Sequence, residues 1–339
     1  MAWRFFRGAS VSGSAAGGRA RRRVEPGAPG LSPAPTPRPA TKQGSVPTIG
    51  WAADAWAAAG PSSPKNDAWA CRIFIKRVKP RKLKIWEFRM IALVTGASAG
   101  FGEAICAALV EKGYRVIGAA RRLGKLEEMR RRLGENFLPL QMDVSDAKSI
   151  DAAWDAIPDE QKEVDVLVNN AGKALGLEKA QETDPDDWLQ MIATNVTGLT
   201  YLTRKVLPGM ARRKRGYVIN MGSIAGSYPY PGGNVYGATK AYVKQFSRNL
   251  RNDLVGTGVR VSNIEPGLCG GTEFSNVRFK GDDKRAAAVY ENVSCVTAKD
   301  IADVVVWLLD RPSHVNVNSI EVMPTSQTWA ALNVYRDQA

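Results

Sequence analysis

The chain has 339 residues and a formal net charge of +14, and hydrophobic residues make up 44% of it. This length suits one large domain or two small ones, and a strongly basic balance is typical of proteins that bind nucleic acid or an anionic membrane. The distribution of charge argues against such binding, because residues 1–89 hold 17 of the 47 Lys and Arg residues and only 4 of the 33 acidic ones. Residues 90–339 therefore carry 30 basic and 29 acidic residues, and we predict no nucleic-acid partner. No apolar run reaches the ~18 residues of a membrane span, so no membrane partner is predicted either.

The cysteine and histidine content limits the kinds of catalytic and metal site that the chain can form. Cys71, Cys106, Cys269 and Cys295 form no Cys-x-x-Cys pair, which predicts neither a metal site nor a disulfide framework. A Ser-His-Asp triad or a multi-histidine zinc site would have to use the single histidine, His314, which follows Arg-Pro-Ser and is expected in a surface loop. We therefore predict chemistry that runs without histidine.

Residues 1–89 differ from the rest of the chain. They are rich in Ala, Gly, Pro, Ser and Arg, a composition that buries too little apolar surface to offset the entropy of ordering. The first 24 residues resemble an organelle transit peptide, but Met90 stands directly before the first strand-like run. We favour an upstream extension or a misassigned start, and expect a protein that begins at Met90 to fold and to be active.

From Met90 onward, short apolar runs alternate with helix-like segments. The strand-like runs are Ile91–Val94, Arg115–Ala119, Phe137–Met142, Val164–Val168, Tyr217–Met221, Arg260–Ile264 and Ser319–Met323. The helix-like segments are Glu103–Lys112, Leu123–Leu133, Ala147–Ile157, Asp186–Arg213, Val235–Val255 and Lys299–Leu309. This alternation predicts an α/β fold in one domain over 90–339: a Rossmann-type, doubly wound parallel sheet of about seven strands with helices on both faces.

A glycine-rich turn joins the first strand to the first helix. It runs Thr95-Gly96-Ala-Ser-Ala-Gly100-Phe-Gly102. Glycines let the backbone approach a pyrophosphate, whose charge the helix N-terminus favours. The alternative is a turn that binds nothing, but the position between strand and helix favours a dinucleotide site.

The second strand ends in Arg121 and Arg122. An NAD site usually has an acidic residue here, whereas arginine accommodates the 2′-phosphate of NADP. The alternative is a solvated pair at a helix start. We predict NADP.

Two further strands end in polar residues. Asp143-Val144 follows the third strand and Asn169-Asn170 the fourth. Open α/β sheets bind their ligands at the carboxyl ends of strands, so we expect these residues near the cofactor, although each could belong to an ordinary turn.

The stretch from Ser223 to Lys240 holds the best candidates for catalysis. Tyr236 and Lys240 are spaced i, i+4, so on a helix they lie on one face. A free tyrosine titrates near about 10, and a neighbouring cation favours the phenolate and lowers that pKa. Such a tyrosine exchanges protons with a hydroxyl or carbonyl, and Ser223 could bind the same oxygen. The alternative is a surface helix with an idle Tyr and Lys.

Together these motifs resemble the short-chain dehydrogenase/reductase family. The glycine turn, Asn169-Asn-Ala-Gly172, Ser223, Tyr236-x-x-x-Lys240 and Pro266-Gly267 occur in the order found in that family, over the whole of 90–339. The segments 232–240 and 265–283 are most similar to family members that act on 3-hydroxy acids.

The resemblance implies roles for individual residues. The pyrophosphate would lie on Gly96, Ala97, Ser98, Ala99, Gly100, Phe101 and Gly102, and the 2′-phosphate on Arg121 and Arg122. Asp143 and Val144 would contact the adenine and Asn170 the ribose nearby. The nicotinamide would be covered by Pro266, Gly267, Leu268, Cys269, Gly270, Gly271, Thr272, Glu273 and Phe274. The catalytic set would be Tyr236 as acid/base, Lys240 on the nicotinamide ribose, Ser223 on the substrate oxygen and Asn195 holding a relay water.

The resemblance further implies a cytoplasmic, NADP-dependent oxidoreductase of small 3-hydroxy acids that assembles as a homotetramer or homodimer. Alternatives are a 3-oxoacyl thioester reductase of the same fold and a non-catalytic NADP-binding module whose basic tail binds nucleic acid. A carboxylate substrate needs a cation near the reacting carbon. The loop after Gly271 carries Arg278, Lys280, Lys284 and Arg285, and Arg278 is the first choice. The alternative is that all four are solvated and that the tail near Arg336, or a neighbouring subunit, binds the acid.

Overall fold

A computed structural model of the chain describes residues 90–329. The expectations for residues 1–89, and for the tail that includes Arg336, lie outside the described residues. None of the helices in the described part is long and apolar enough to cross a membrane.

In the described part of the chain, seven parallel strands form one sheet in the order β3-β2-β1-β4-β5-β6-β7. The strands are β1 Ile91–Thr95, β2 Arg115–Ala120, β3 Phe137–Gln141, β4 Val166–Asn169, β5 Gly216–Met221, β6 Val259–Pro266 and β7 Ser319–Val322. This confirms the predicted strands. β1 lies inside the sheet, with β2 and β3 on one side and β4 to β7 on the other. The strand order reverses between β1 and β4, and the carboxyl ends of these two strands border the crevice that such a switch point creates.

The helices of the described part follow the sequence pattern except in two places. They are α1 Gly100–Glu111, α2 Leu123–Leu133, α3 Ala147–Ala156, α4 Pro185–Ile192, α5 Leu199–Arg213, α6 Asn234–Asp253, α7 Phe274–Arg278, α8 Asp283–Ala288 and α9 Ala298–Leu309. The predicted helix Asp186–Arg213 is interrupted by a π-helical turn, Ala193–Gly198, between α4 and α5. The two short helices α7 and α8 were not predicted, because five or six residues are too few to show a helical period.

Separate apolar clusters cover the two faces of the sheet. Val94 of β1 belongs to a cluster with Leu109 of α1 and Val305 of α9. Its neighbour Leu93 belongs to a second cluster with Val206 of α5. Successive residues of a strand point to opposite faces, so β1 is buried on both sides. The fold is thus the predicted doubly wound sheet.

Candidate active site

A cleft of about 810 Å³ opens at the carboxyl ends of the strands. Most of the predicted site residues border it: Gly96, Ser98, Ala99, Gly100, Phe101, Arg121, Arg122, Asp143, Val144, Asn170, Ser223, Tyr236, Lys240, Pro266, Gly267, Leu268, Cys269, Thr272, Glu273, Phe274 and Arg278. Residues from strands far apart in sequence therefore meet at one place, as the parallel topology requires.

Five predicted residues do not border the cleft, and each has a local reason. Ala97 belongs to the glycine turn, but its side chain is fully buried. A side chain at Gly102 would come within 2.2 Å of the Gly96 carbonyl, so Gly102 shapes the turn from below. Gly270 faces Cys295, and Gly271 faces open space. The fifth, Asn195, lies one layer behind the cleft.

The glycine turn has the geometry of a phosphate cradle. Gly96 has a φ of +65°, a conformation that favours glycine, and a side chain there would meet Asn170 at 2.9 Å. Helix α1 begins at Gly100, so its free N–H groups and positive dipole end lie beside the cleft. The turn and the helix start together can accept a pyrophosphate.

The two arginines after β2 differ in their surroundings. The Arg122 guanidinium donates to the Ser98 hydroxyl and carbonyl and forms an ion pair with Glu273 at 2.8 Å. Among the described residues, none forms a hydrogen bond or an ion pair with the guanidinium of Arg121. Arg121 is therefore the freer of the two to bind a phosphate, while Arg122 joins the glycine turn to the segment after β6.

Polar groups at the ends of β3 and β4 complete this side of the cleft. Asn170 donates to the Thr95 carbonyl at 2.8 Å and so ties β4 to β1. Partial burial would raise the pKa of Asp143, but hydrogen bonds from Ser145 and the charge of Arg121 hold it below its ordinary value. Asp143 therefore remains a hydrogen-bond acceptor at neutral pH.

The predicted catalytic residues meet on the other side of the cleft. Tyr236 and Lys240 lie on α6, and both are buried. Lys240 Nζ donates to the Met221 carbonyl at 2.8 Å and lies 5.8 Å from the Tyr236 ring centroid. Ser223 caps the turn after β5, where its Oγ accepts from Ala225 N at 3.1 Å.

The titration of these groups is set first by burial. Burial raises the pKa of Tyr236 to about 12, while the Ser223 hydroxyl and the charge of Arg278 act in the opposite direction. Burial also lowers the pKa of Lys240 to about 8. The sequence predicted that Lys240 lowers the pKa of Tyr236, whereas in the structure the groups that lower it are Ser223 and Arg278.

Asn195 lies in the π-helical turn that interrupts the α4–α5 helix, a distortion common at functional sites. Its Oδ1 accepts from Lys173 N at 2.9 Å, and its Nδ2 donates to the Lys173 carbonyl at 2.9 Å and to Thr239 Oγ1 at 3.0 Å. The side chain thus fixes the backbone that follows Asn170 and does not reach the cleft.

Arg278 brings a cation close to the tyrosine. Its guanidinium lies 5.3 Å from the Tyr236 ring centroid and donates to the Tyr230 hydroxyl. Its Nε is buried and has no hydrogen-bond partner within residues 90–329. The Arg278 carbonyl accepts from Gly176 N at 2.9 Å, and Lys280 pairs with Asp187 at 2.8 Å. These two contacts hold residues 278–280, at the end of α7, against neighbouring segments of the chain.

The other candidate cations for a carboxylate are placed differently. Lys280 is engaged with Asp187, and Arg285 stacks on Phe279 at 4.6 Å. Neither of them, nor Lys284, borders the cleft.

Several residues of the cleft were not predicted. They include Lys173, Thr194, Tyr228, Tyr230, Tyr290, Gln327 and Trp329. Tyr228 and Tyr230 lie within the stretch Ser223–Lys240, so their closeness in sequence to Tyr236 could have identified them as cleft residues. Gln327 follows β7, and its Oε1 accepts from Leu268 N at 2.7 Å. That contact depends on chain folding and has no local signal.

The fold and site define a class of protein. A family model for short chain dehydrogenase matches residues 90–283. The chain therefore belongs to the short-chain dehydrogenase family, as the order of its motifs predicted.

Individual relatives are similar over nearly their whole length. A Haemophilus influenzae protein named probable NADP-dependent dehydrogenase is 59% identical over 247 residues, which is 73% of this chain and 98% of the relative. A Salmonella typhi protein named NADP-dependent 3-hydroxy acid dehydrogenase YdfG is 56% identical over 247 residues, 73% of this chain and 100% of the relative. The solved closed form of a serine dehydrogenase complexed with NADP+ is 53% identical, with a TM-score of 0.72, and covers 73% of this chain and 100% of its own.

Proposed function

We propose that this chain is an NADP-dependent oxidoreductase that interconverts small 3-hydroxy acids and their 3-oxo acids or semialdehydes. The names of the relatives support the cofactor and the substrate class. The one observation in this chain that supports an acidic substrate is the position of the Arg278 guanidinium beside Tyr236.

The residues of the cleft fit the proposed cofactor. The glycine turn and the start of α1 would hold the pyrophosphate, and the guanidinium of Arg121, which is unpaired within residues 90–329, would bind the 2′-phosphate. Asp143, Val144 and Asn170 would lie along the adenosine, and the segment from Pro266 to Phe274 would cover the nicotinamide. When bound, NADP supplies the acceptor or donor of a hydride.

The proton would move at Tyr236 Oη. In the oxidation, the phenolate takes the proton of the substrate hydroxyl as the C3–H bond breaks and C3 becomes a carbonyl carbon; reduction reverses these steps. Ser223 would donate to the substrate oxygen, and Lys240 would bind the nicotinamide ribose. Asn195 would act by holding the backbone of residue 173, and the proposed relay water would lie beside that backbone.

Arg278 would bind the substrate carboxylate. Arg278 Nε has no hydrogen-bond partner among the described residues, which is costly for a buried N–H, and a carboxylate bound at this guanidinium would supply a charge-assisted hydrogen bond. A thioester carries no such charge, which favours a free acid over the 3-oxoacyl thioester. Cytoplasmic location and assembly as a homotetramer or homodimer stay predictions.

A rate screen tests this function. NADP-linked oxidation by the full chain is measured for serine, allo-threonine, 3-hydroxyisobutyrate and 3-hydroxypropionate. A neutral alcohol of similar size and a 3-hydroxyacyl thioester serve as comparisons. We expect the highest kcat/KM for one of the free acids. A higher value for the thioester would contradict the free-acid proposal in favour of the rival reductase, and NADP binding without turnover of any of these substrates would contradict it in favour of the non-catalytic module.

A further inference from the structure

A buried ionic cluster lies behind the catalytic residues. Glu265 is only 2% exposed, and its Oε2 accepts from Lys244 Nζ at 2.8 Å and from Ser227 Oγ at 3.2 Å. Its Oε1 accepts from Asn263 Nδ2 at 3.0 Å and from the Ser319 hydroxyl. Both carboxylate oxygens are thus satisfied, and none of these five residues borders the cleft.

The cluster joins the three segments that carry the catalytic groups. Glu265 immediately precedes Pro266 at the end of β6. Lys244 lies on α6, two helical turns beyond Tyr236, so it shares the face of the helix that carries the catalytic pair. Ser227 closes the turn that begins at Ser223.

Two backbone groups that hydrogen-bond to the Ser223 hydroxyl lie one or two residues from members of the cluster. Ser223 Oγ accepts from Ala225 N at 3.1 Å and donates to the Pro266 carbonyl at 3.5 Å. Ala225 is two residues from Ser227, and Pro266 adjoins Glu265. A shift of the cluster would therefore move the serine hydroxyl relative to α6.

The cluster is poorly explained by stability alone. Bringing a carboxylate and an ammonium out of water is costly, and apolar replacements of such pairs are often neutral or stabilising. The cluster does, however, hold the end of β6, helix α6 and the turn after β5 in fixed positions relative to one another.

We propose that Glu265 is a positioning residue that, through Lys244 and Ser227, sets the spacing between Ser223 and Tyr236. The inference rests on the proposed function, since it assumes that these two side chains act on one substrate oxygen. Glu265 itself touches neither substrate nor cofactor.

A matched buried carboxylate at the other end of the sheet provides the control. Asp165 precedes β4, accepts from Ile91 N at 3.1 Å, and pairs with Arg215 at 3.1 Å and Arg213 at 3.7 Å. Its side chain is 4% exposed, close to the 2% of Glu265. Asp165→Asn therefore disturbs a similarly buried, cation-paired carboxylate at the opposite end of the strands from the catalytic residues.

The experiment compares Glu265→Gln, Ser227→Ala and Asp165→Asn in the full chain, with the best substrate of the wild-type protein. Melting temperature and NADP Kd are measured beside kcat. We expect Glu265→Gln and Asp165→Asn to lower the melting temperature. We expect Glu265→Gln to lower kcat by about 10- to 100-fold and Ser227→Ala to lower it less, because misplaced catalytic groups lose rate steeply, whereas Asp165→Asn should leave kcat unchanged. We expect the NADP Kd of Glu265→Gln to stay within about twofold of wild type, because the cluster lies outside the cleft.

A pH profile separates positioning from general destabilisation. Ser223 lowers the pKa of Tyr236. A displaced Ser223 would let that pKa rise, and the alkaline rise of kcat/KM for oxidation would move to higher pH in Glu265→Gln and, to a smaller extent, in Ser227→Ala. If Glu265→Gln does not fold, Ser227→Ala decides, since it removes one hydroxyl only.

The proposal is overturned if the folded Glu265→Gln, or Ser227→Ala in its place, keeps the wild-type kcat and pH profile, or if Asp165→Asn loses turnover equally. An inactive wild-type protein would instead refute the proposed function.

Discussion

The two sides of the cleft are built in different ways. The cofactor side, from β1 to the end of β4, relies on backbone: a glycine turn, a helix N-terminus and polar residues at strand ends. The substrate side relies on side chains from distant segments, with Ser223 after β5, Tyr236 on α6 and Arg278 on α7. A backbone site depends on local sequence, whereas a side-chain site depends on how separate elements pack. Substitutions on the substrate side should therefore affect turnover, and those on the cofactor side should affect cofactor affinity.

The largest expected effect is on the substrate side. Tyr236→Phe keeps the ring packed against Phe274, with centroids 5.9 Å apart, and removes the hydroxyl that we propose exchanges the proton. We expect kcat to fall by at least about 10²-fold, the lower end of what a general acid–base contributes, while NADP affinity stays unchanged. Steady-state kinetics and an NADP fluorescence titration measure the two quantities. Near-wild-type turnover would show that another group moves the proton.

A smaller effect is expected on the cofactor side, and it should differ between the two arginines. Arg121→Ala should weaken NADP by about 10- to 100-fold and NAD little, because a charge-assisted bond to the 2′-phosphate is worth about 1.5–3 kcal/mol. Arg122→Ala removes the contacts with Ser98 and Glu273 and should weaken both cofactors by a similar, smaller factor. Calorimetric Kd values for both cofactors provide the check. An equal loss of NADP affinity in the two variants would mean that both arginines bind the phosphate.

The difference between the two sides also explains what could be predicted from sequence. The strands, the glycine turn and the polar strand ends follow from local patterns, and all were predicted. The π-helical turn at Asn195 was not, because the apolar pattern of Asp186–Arg213 is continuous. The Glu265 cluster was missed because its members are separated by up to 92 positions and meet only in the folded chain.

Burial explains why the titration of Tyr236 was predicted incompletely. The spacing of Tyr236 and Lys240 identified a pair on one helical face, and the structure confirms that placement. The spacing gives no information on desolvation, which is the largest influence on the pKa of Tyr236. Nor does it reveal that Lys240 is directed to the Met221 carbonyl.

The central claim is that Arg278 binds the substrate carboxylate, and one pair of variants tests it most directly. Arg278→Ala is compared with Arg285→Ala, an arginine of α8 that stacks on Phe279 and lies outside the cleft. Each variant is assayed with the best 3-hydroxy acid and with a neutral alcohol or ketone of similar size. For Arg278→Ala we predict a loss in kcat/KM of about 10²-fold for the acid, as expected for a lost charged contact, and a small loss for the neutral compound. For Arg285→Ala we predict little change with either. Equal losses for the acid and the neutral compound in Arg278→Ala would contradict the claim and would mean that Arg278 only shapes the segment above Tyr236.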